Sequence, residues 1–167
     1  MKKTVALSVL LLLISCLLCG CFPGVMFIPD EASIGKSKEF KKDGITLLLT
    51  DRFEEQESER GFDAYYVSDF CGVVVLREEF TIEEGLADKT LEQYTKNVIS
   101  NNGHTNIQPH NKDGLWFYEH SSGGNFVRSY CYKGSDAFYV VQYICSQSDK
   151  NTFDDLFYLW AESVAVE

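Results

Sequence analysis

Nucleophilic catalysis requires a serine or cysteine, a base within hydrogen-bond reach and a third group that orients the base. His120-Ser121-Ser122 sets these residue types side by side. Neighbours along a strand point to opposite faces, however, so the run does not bring a nucleophile to the imidazole. The Gly123-Gly124 pair that follows could offer backbone N–H groups to an oxyanion, yet paired glycines are far commoner as turn formers. His104, His110 and His120 lack the helical or hairpin spacing of metal ligands, and two of them lie in turn-like sequence. The acidic run Asp51, Glu54, Glu55, Glu57 and Glu59 has the charge to attract a hard cation. It lacks alternating Asp/Asn ligands and an ordered glycine turn, so it reads as a solvated, self-repelling loop. Glu78, Glu79, Glu83 and Glu84 bring carboxylates close together, but glycoside chemistry needs two acids roughly 5–10 Å apart across a sugar-sized cleft. Clustered at a strand end, these four read as an exposed edge. No glycine-rich phosphate cradle is present. The sequence therefore assigns no catalytic residue, no cofactor and no metal ligand, and the expectation is a protein that is not an enzyme.

The six cysteines fall into two groups. Cys71, Cys131 and Cys145 each sit in an apolar, strand-like run. Three thiols allow at most one internal disulfide, and all three pairings stay open. A hairpin turning about Ser135-Asp136 sets Cys131 near Val140 and Cys145 near Asn125, so those two do not face each other. Buried free thiols are expected, with one disulfide as the alternative.

Cys16, Cys19 and Cys21 instead close an apolar N-terminal run. Met1-Lys2-Lys3 precedes 17 uncharged residues from Thr4 to Gly20, the n-region and h-region of a secretory signal. That run is slightly shorter than the roughly 20 residues of a spanning helix, and no basic stop-transfer flank follows it. Its end, Leu18-Cys19-Gly20-Cys21, resembles the bacterial lipobox, with leucine three places before the modified cysteine and a small residue just before it. The resemblance implies that Cys21 is lipidated with diacylglycerol and that a peptidase cuts in front of it. Leu13-Ile14-Ser15-Cys16 is a second match, but it would leave Leu17-Leu18 near the mature start. One acyl chain holds a protein only marginally and two hold it stably, so a protein lipidated at Cys21 is expected to be anchored to a bacterial cell membrane, its domain on the extracytoplasmic side.

Loss of residues 1–20 as a signal peptide removes Lys2 and Lys3 and no acid. The basic side chains fall from 15 to 13 against 25 acidic ones, and the net charge moves from −10 to −12. So acidic a chain does not seek nucleic acid, and without a polybasic patch the lipid must supply the membrane attachment. Aromatics make up 14% of the residues, which argues for a dense β-containing core rather than disorder.

Residues 21–39, with Pro23, Gly24, Pro29 and Gly35 and no sustained period, read as a tether. Residues 40–167 read as one domain. Ile45-Thr46-Leu47-Leu48-Leu49 is apolar on both faces and is expected to be a central strand. Strands are expected over Phe62 to Ser68 and Cys71 to Phe80. Thr90-Leu91-Glu92-Gln93 fits a capping box, opening a helix whose apolar stripe is Leu91, Tyr94, Val98 and Ile99 and which stops at Asn101-Asn102-Gly103. A short strand around Asn106–Gln108, one from Leu115 to His120 and a hairpin of Phe126–Lys133 with Ala137–Cys145 follow. Asn151 is expected to cap a last helix with the stripe Phe153, Leu156, Phe157 and Trp160, and Val164-Ala165-Val166 to add a final strand. Hairpin connections with two amphipathic helices imply an α+β class, an antiparallel β-sheet flanked by helices.

Three segments resemble the PsbP-like superfamily, which includes the Mog-type Ran-binding proteins: Lys42-Asp43-Gly44-Ile45-Thr46-Leu47, the capped helix from Thr90, and Phe138 to Cys145 followed by Phe153 to Trp160 and Ser163-Val164. Where many members have Pro and Trp after the first strand, this chain has Thr50-Asp51-Arg52-Phe53. The resemblance implies an α/β/α sandwich and a binding or scaffolding role, and it transfers no site residue. The functional expectation is a non-catalytic envelope lipoprotein that binds an envelope protein or small ligand. The alternatives are a carrier of peptide, glycan or lipid on an aromatic sheet face (Tyr130 with Tyr132, Tyr139 with Tyr143, or Trp116 with Tyr118) and, last, an envelope hydrolase.

Overall fold

The computed structural model describes residues 35–57 and 61–167. The signal, Cys21 and most of the tether lie outside the described residues, as does Glu59 of the acidic run. In chain order the elements are β1 (Ser37–Lys42), β2 (Ile45–Thr50), β3 (Glu54–Glu55), β4 (Ala64–Val67), β5 (Cys71–Glu79), α1 (Leu91–Asn101), β6 (His110–Lys112), β7 (Leu115–Ser122), β8 (Asn125–Lys133), β9 (Ala137–Ser146), α2 (Lys150–Glu162) and β10 (Ala165–Val166). Strands β3-β4-β5-β9-β8-β7-β6 form one seven-stranded sheet, and β1-β2-β10 form a second, three-stranded one. All the pairings are antiparallel.

The alternation of side chains along each strand divides the large sheet into two faces. Val73 and Val75 of β5, Tyr139, Val141 and Tyr143 of β9, and Phe126, Tyr130 and Tyr132 of β8 face one way, into a core closed by α2 and the small sheet. Phe138 and Val140 of β9 and Cys131 of β8 face the other way, against Tyr94, Leu91 and Val98 of α1. The layers are thus α2 with the small sheet, the seven-stranded sheet, and α1. Helix α2 buries the whole stripe its 3.6-residue period defines, and α1 buries Tyr94 and Ile99 of its stripe with Leu91 and Val98 half-buried against the sheet. Thr90 Oγ1 accepts from Gln93 N at 3.2 Å and Gln93 Oε1 accepts from Thr90 N at 2.9 Å, completing the expected capping box.

Several boundaries differ from the sequence reading. Strand β1 starts at Ser37, so the end of the segment read as tether already pairs with β2. Strand β2 is central, but in the small sheet, and only Ile45, Leu47 and Leu49 point into the core while Leu48 is 41% exposed. An unbroken apolar run does not say how many faces are covered, and this sheet has only one covered face. Glu54 and Glu55 pair with Val67 and Tyr66 inside the acidic stretch. The short strand expected around Asn106–Gln108 lies instead at His110–Lys112, closed by Asp113 and Gly114 with φ of 51° and 90°. Two successive positive φ angles make the tight turn whose twist suits a hairpin. Helix α2 begins at Lys150, after a single 3-10 turn at Gln147–Asp149.

Asp43 and Gly44, with φ of 42° and 82°, make the same kind of turn between β1 and β2. A Cβ on Gly44 would stand 2.5 Å from Tyr139 Oη, the hydroxyl that donates to Asp43 O at 3.0 Å. The small sheet is so fastened to the large one at a place where no side chain fits.

Candidate functional site

Helix α2 does not lie flush on the large sheet along its whole length. Between its N-terminal half, the segment after β2 and the β4–β5 turn runs a groove of about 370 Å³. From α2 come Phe153, Leu156 and Trp160, three positions of the stripe that also packs the core. Phe53, after β2, meets Trp160 edge-on with ring centroids 5.4 Å apart. Cys71 contributes the first residue of β5, and Thr50, Arg52, Ser68, Asp149 and Thr152 supply the polar parts of the wall.

The β4–β5 turn forms one lip. Ser68 N donates to Cys71 O at 2.9 Å, and Ser68 Oγ accepts from Cys71 N at 3.2 Å. These bonds leave Asp69 and Phe70 at the tip, where Phe70 is 54% exposed. Burying a phenylalanine contributes about 1.5–3 kcal/mol, and the fold does not collect that from Phe70. An aromatic residue held at the lip of an apolar groove is suited to contact something other than its own core. The sequence reading passed over this site. The available signal was Phe70 itself, an aromatic in the polar turn Ser68-Asp69-Phe70 between two strands.

The histidines divide. His110 stands on the edge strand β6, while His104 and His120 come together with ring centroids 4.5 Å apart, beside Tyr118. Spacing alone did not show this pairing, because it depends on the loop after α1 folding over β7. No group of three potential metal ligands occurs among the described residues. His120 Nδ1 is buried without a hydrogen-bond partner there. Burial, and then the nearby His104, hold the His120 imidazole below its usual range. The unfolded chain therefore binds the proton that the native state declines. Stability is full above about pH 6.5 and falls as pH drops from there toward the lowered native value. The urea midpoint is expected to fall between about pH 7.5 and about pH 5.5, and less so in His120→Asn; equal falls would remove His120 as the cause.

Three of the four clustered acids have structural partners. Glu78 accepts from Tyr94 Oη at 2.6 Å, Glu79 pairs with Arg77 at 2.6 Å and Glu83 pairs with Lys89 at 3.0 Å. Arg77 also donates to Asp136 at 2.6 Å and to Tyr139 Oη at 3.2 Å, joining β5 to the β8–β9 turn. In the acidic run, Glu55 pairs with Lys42 at 3.1 Å and Asp51 Oδ1 accepts from Lys36 N at 2.9 Å. On the α2 face of the large sheet, the buried Arg128 is neutralised by Glu119 and Asp154 and lies over the rings of Phe117 and Phe126. These arrangements tie strands and turns together, and Arg77, Glu79 and Asp136 also line an open polar hollow with Asp43, Asp63 and Tyr139, as Lys42 and Glu55 line a second one.

The aromatic platform expected of a carrier is not available where the sequence placed it. Tyr130, Tyr132, Tyr139 and Tyr143 are buried beneath α2 and the small sheet, and Tyr118 is buried on the α1 side with Trp116 half-covered. The strands do present these rings in pairs, but the covering layers close over them. The apolar opening lies instead beside α2.

No protein-family model matches the chain, and no curated protein matches it. Solved structures do. The solution structure of cyanobacterial PsbP (CyanoP) from Synechocystis sp. PCC 6803 aligns with a TM-score of 0.55 at 15% identity, covering 80% of this chain and 94% of that one. A mutant of the protein Mog1 aligns with a TM-score of 0.50 at 11% identity, covering 78% and 96%. The chain has the PsbP-like fold. In this PsbP-like domain the antiparallel sheet stands between helices, as the resemblance of the three segments implied. At these identities the likeness is one of fold.

Proposed function

We propose that this protein is a non-catalytic binding or scaffold domain of the bacterial cell envelope, held outside the cytoplasm by lipid on Cys21. It docks an apolar segment of an envelope partner in the groove beside α2. The observation that carries the docking is the groove itself, with Phe70 exposed on its lip and Phe53, Phe153, Leu156 and Trp160 in its walls. One side is open to solvent, so a partner's side chains enter without the domain unfolding locally. Support for the anchor comes from the signal and the lipobox-like Leu18-Cys19-Gly20-Cys21. A second reading, a carrier of a small apolar ligand, draws on the volume of about 370 Å³, inside the range of roughly 300–1,000 Å³ typical of ligand sites.

A photoreactive benzophenone side chain at Phe70 of the membrane-anchored protein is expected to crosslink to one envelope protein. The same group at exposed Asn111, on the far edge of the sheet, is not. Capture of lipid or a small molecule alone moves the assignment to the carrier reading. Labelling at Phe70 no stronger than at Asn111 defeats both. Thr152→Trp, which fills the groove mouth, is expected to weaken the productive crosslink at least tenfold.

A further inference from the structure

The β5–β9 pairing aligns Cys71 directly with Cys145, two residues 74 positions apart in sequence. Cross-strand partners point to the same face, and both side chains are buried in the same core. The hydrogen-bond pattern around the pair adds a second fact. Ser68 N donates to Cys71 O and Cys71 N donates to Ser68 Oγ, so both backbone groups of Cys71 face β4. On the other strand Gln147 N donates to Gly124 O, and by the two-residue alternation Cys145 also turns its backbone groups toward β8. Toward each other the two cysteines therefore form a non-hydrogen-bonded pair. In such pairs the Cα atoms stand about 4.5 Å apart and the side chains are at their closest. This separation falls inside the ~4.4–6.8 Å that a disulfide spans. Cys131 is excluded from the pairing, because it lies on the opposite face, across from Val140 and Trp116.

We infer that Cys71 and Cys145 are a redox pair that closes to a cross-strand disulfide between β5 and β9, leaving Cys131 a permanent thiol. The structure has all three cysteines free. Closure needs an oxidant of the disulfide class. One protein thiolate attacks the oxidant's sulfur and expels its first thiolate. The second protein thiolate then attacks the mixed disulfide and expels the other half. Two protein thiols and one oxidant disulfide thus become one protein disulfide and two small thiols, with two electrons passing to the oxidant. Burial pushes both thiols up to about 11, which slows attack in the closed sheet. The exchange accordingly belongs to folding, before β9 seals against β5. Cys71 is also part of the groove wall, so the link would stiffen the side of the docking site. Its occupancy in the cell rests on the proposed export to an oxidising compartment, whereas its geometry does not.

The test uses the full chain with Cys16, Cys19 and Cys21 replaced by serine, reduced, unfolded and refolded in detergent with a glutathione redox buffer. Alkylation and peptide mass spectrometry are expected to find the Cys71 and Cys145 peptides linked and Cys131 alkylated. Cys131→Ala is expected to keep the link, and the linked form to unfold at higher denaturant than its reduced counterpart. Three alkylated thiols, or a link that includes Cys131, would overturn the inference. Thiols trapped directly in cells give the second arm. A link in vitro with both thiols reduced in cells supports the pairing and counts against export.

Discussion

Phe157→Ala is expected to lower the unfolding free energy by about 3–5 kcal/mol, the range for removing a large aromatic from a packed core. Phe157 is fully buried. Its ring centroid lies 5.3 Å from that of Tyr143, 5.7 Å from Phe153, 6.0 Å from Trp160 and 6.4 Å from Phe126. These neighbours come from α2, β8 and β9, so the void would open between the helix and the sheet. None of them can collapse into it without leaving its own contacts. Domains of this size have only about 5–15 kcal/mol in total, and the loss would take a large fraction. Urea unfolding followed by tryptophan fluorescence measures it through the midpoint at unchanged slope. A loss below about 1 kcal/mol would mean that α2 is not docked as described.

The second large effect concerns location rather than stability. Cys21→Ala is expected to remove the protein from the membrane fraction, because in the proposed anchoring the acyl chains, at about 0.8 kcal/mol per buried methylene, supply the attachment. Intact-mass spectrometry of the wild-type membrane fraction is expected to give a mature chain starting at Cys21 plus acyl groups. An unlipidated, secreted product would end the anchored reading, while the groove and its Phe70 test would stand.

Features set by local periodicity were legible in the sequence. The stripe of α1, its Thr90 capping box and the stripe of α2 each lie within about a dozen residues, so their geometry follows from the helix alone. The β8–β9 hairpin was read with Cys131 opposite Val140, as observed, and with Cys145 near Asn125, where its partner is Phe126. What depends on strands far apart in the chain was not legible. Cys71 meets Cys145 only because β5 pairs with β9 across the intervening α1 and three strands. The groove likewise needs Phe53, Phe70 and Trp160 from three separate segments. Nor could β2 be assigned to a separate sheet, since Ile45 to Leu49 reads the same in either. The burial of the tyrosine pairs was a question of which layer covers which face, and alternation along a strand is silent on that.

The sheet margins that are unpaired among the described residues bear on how copies of this molecule behave in company. The large sheet ends in β3 and β6, strands of two and three residues, all exposed and including Glu54, Glu55 and Lys112. The small sheet ends in the two residues of β10 and in β1, where Lys38, Glu39, Lys41 and Lys42 are all exposed. A neighbouring chain seeking to add a strand would find either too short a template or one lined with charge. Under the proposed lipid anchoring, molecules crowded onto one membrane would collide continually at their margins, and these margins would let them part again. The contacts that last would then be made at a face of the molecule, not along its rim.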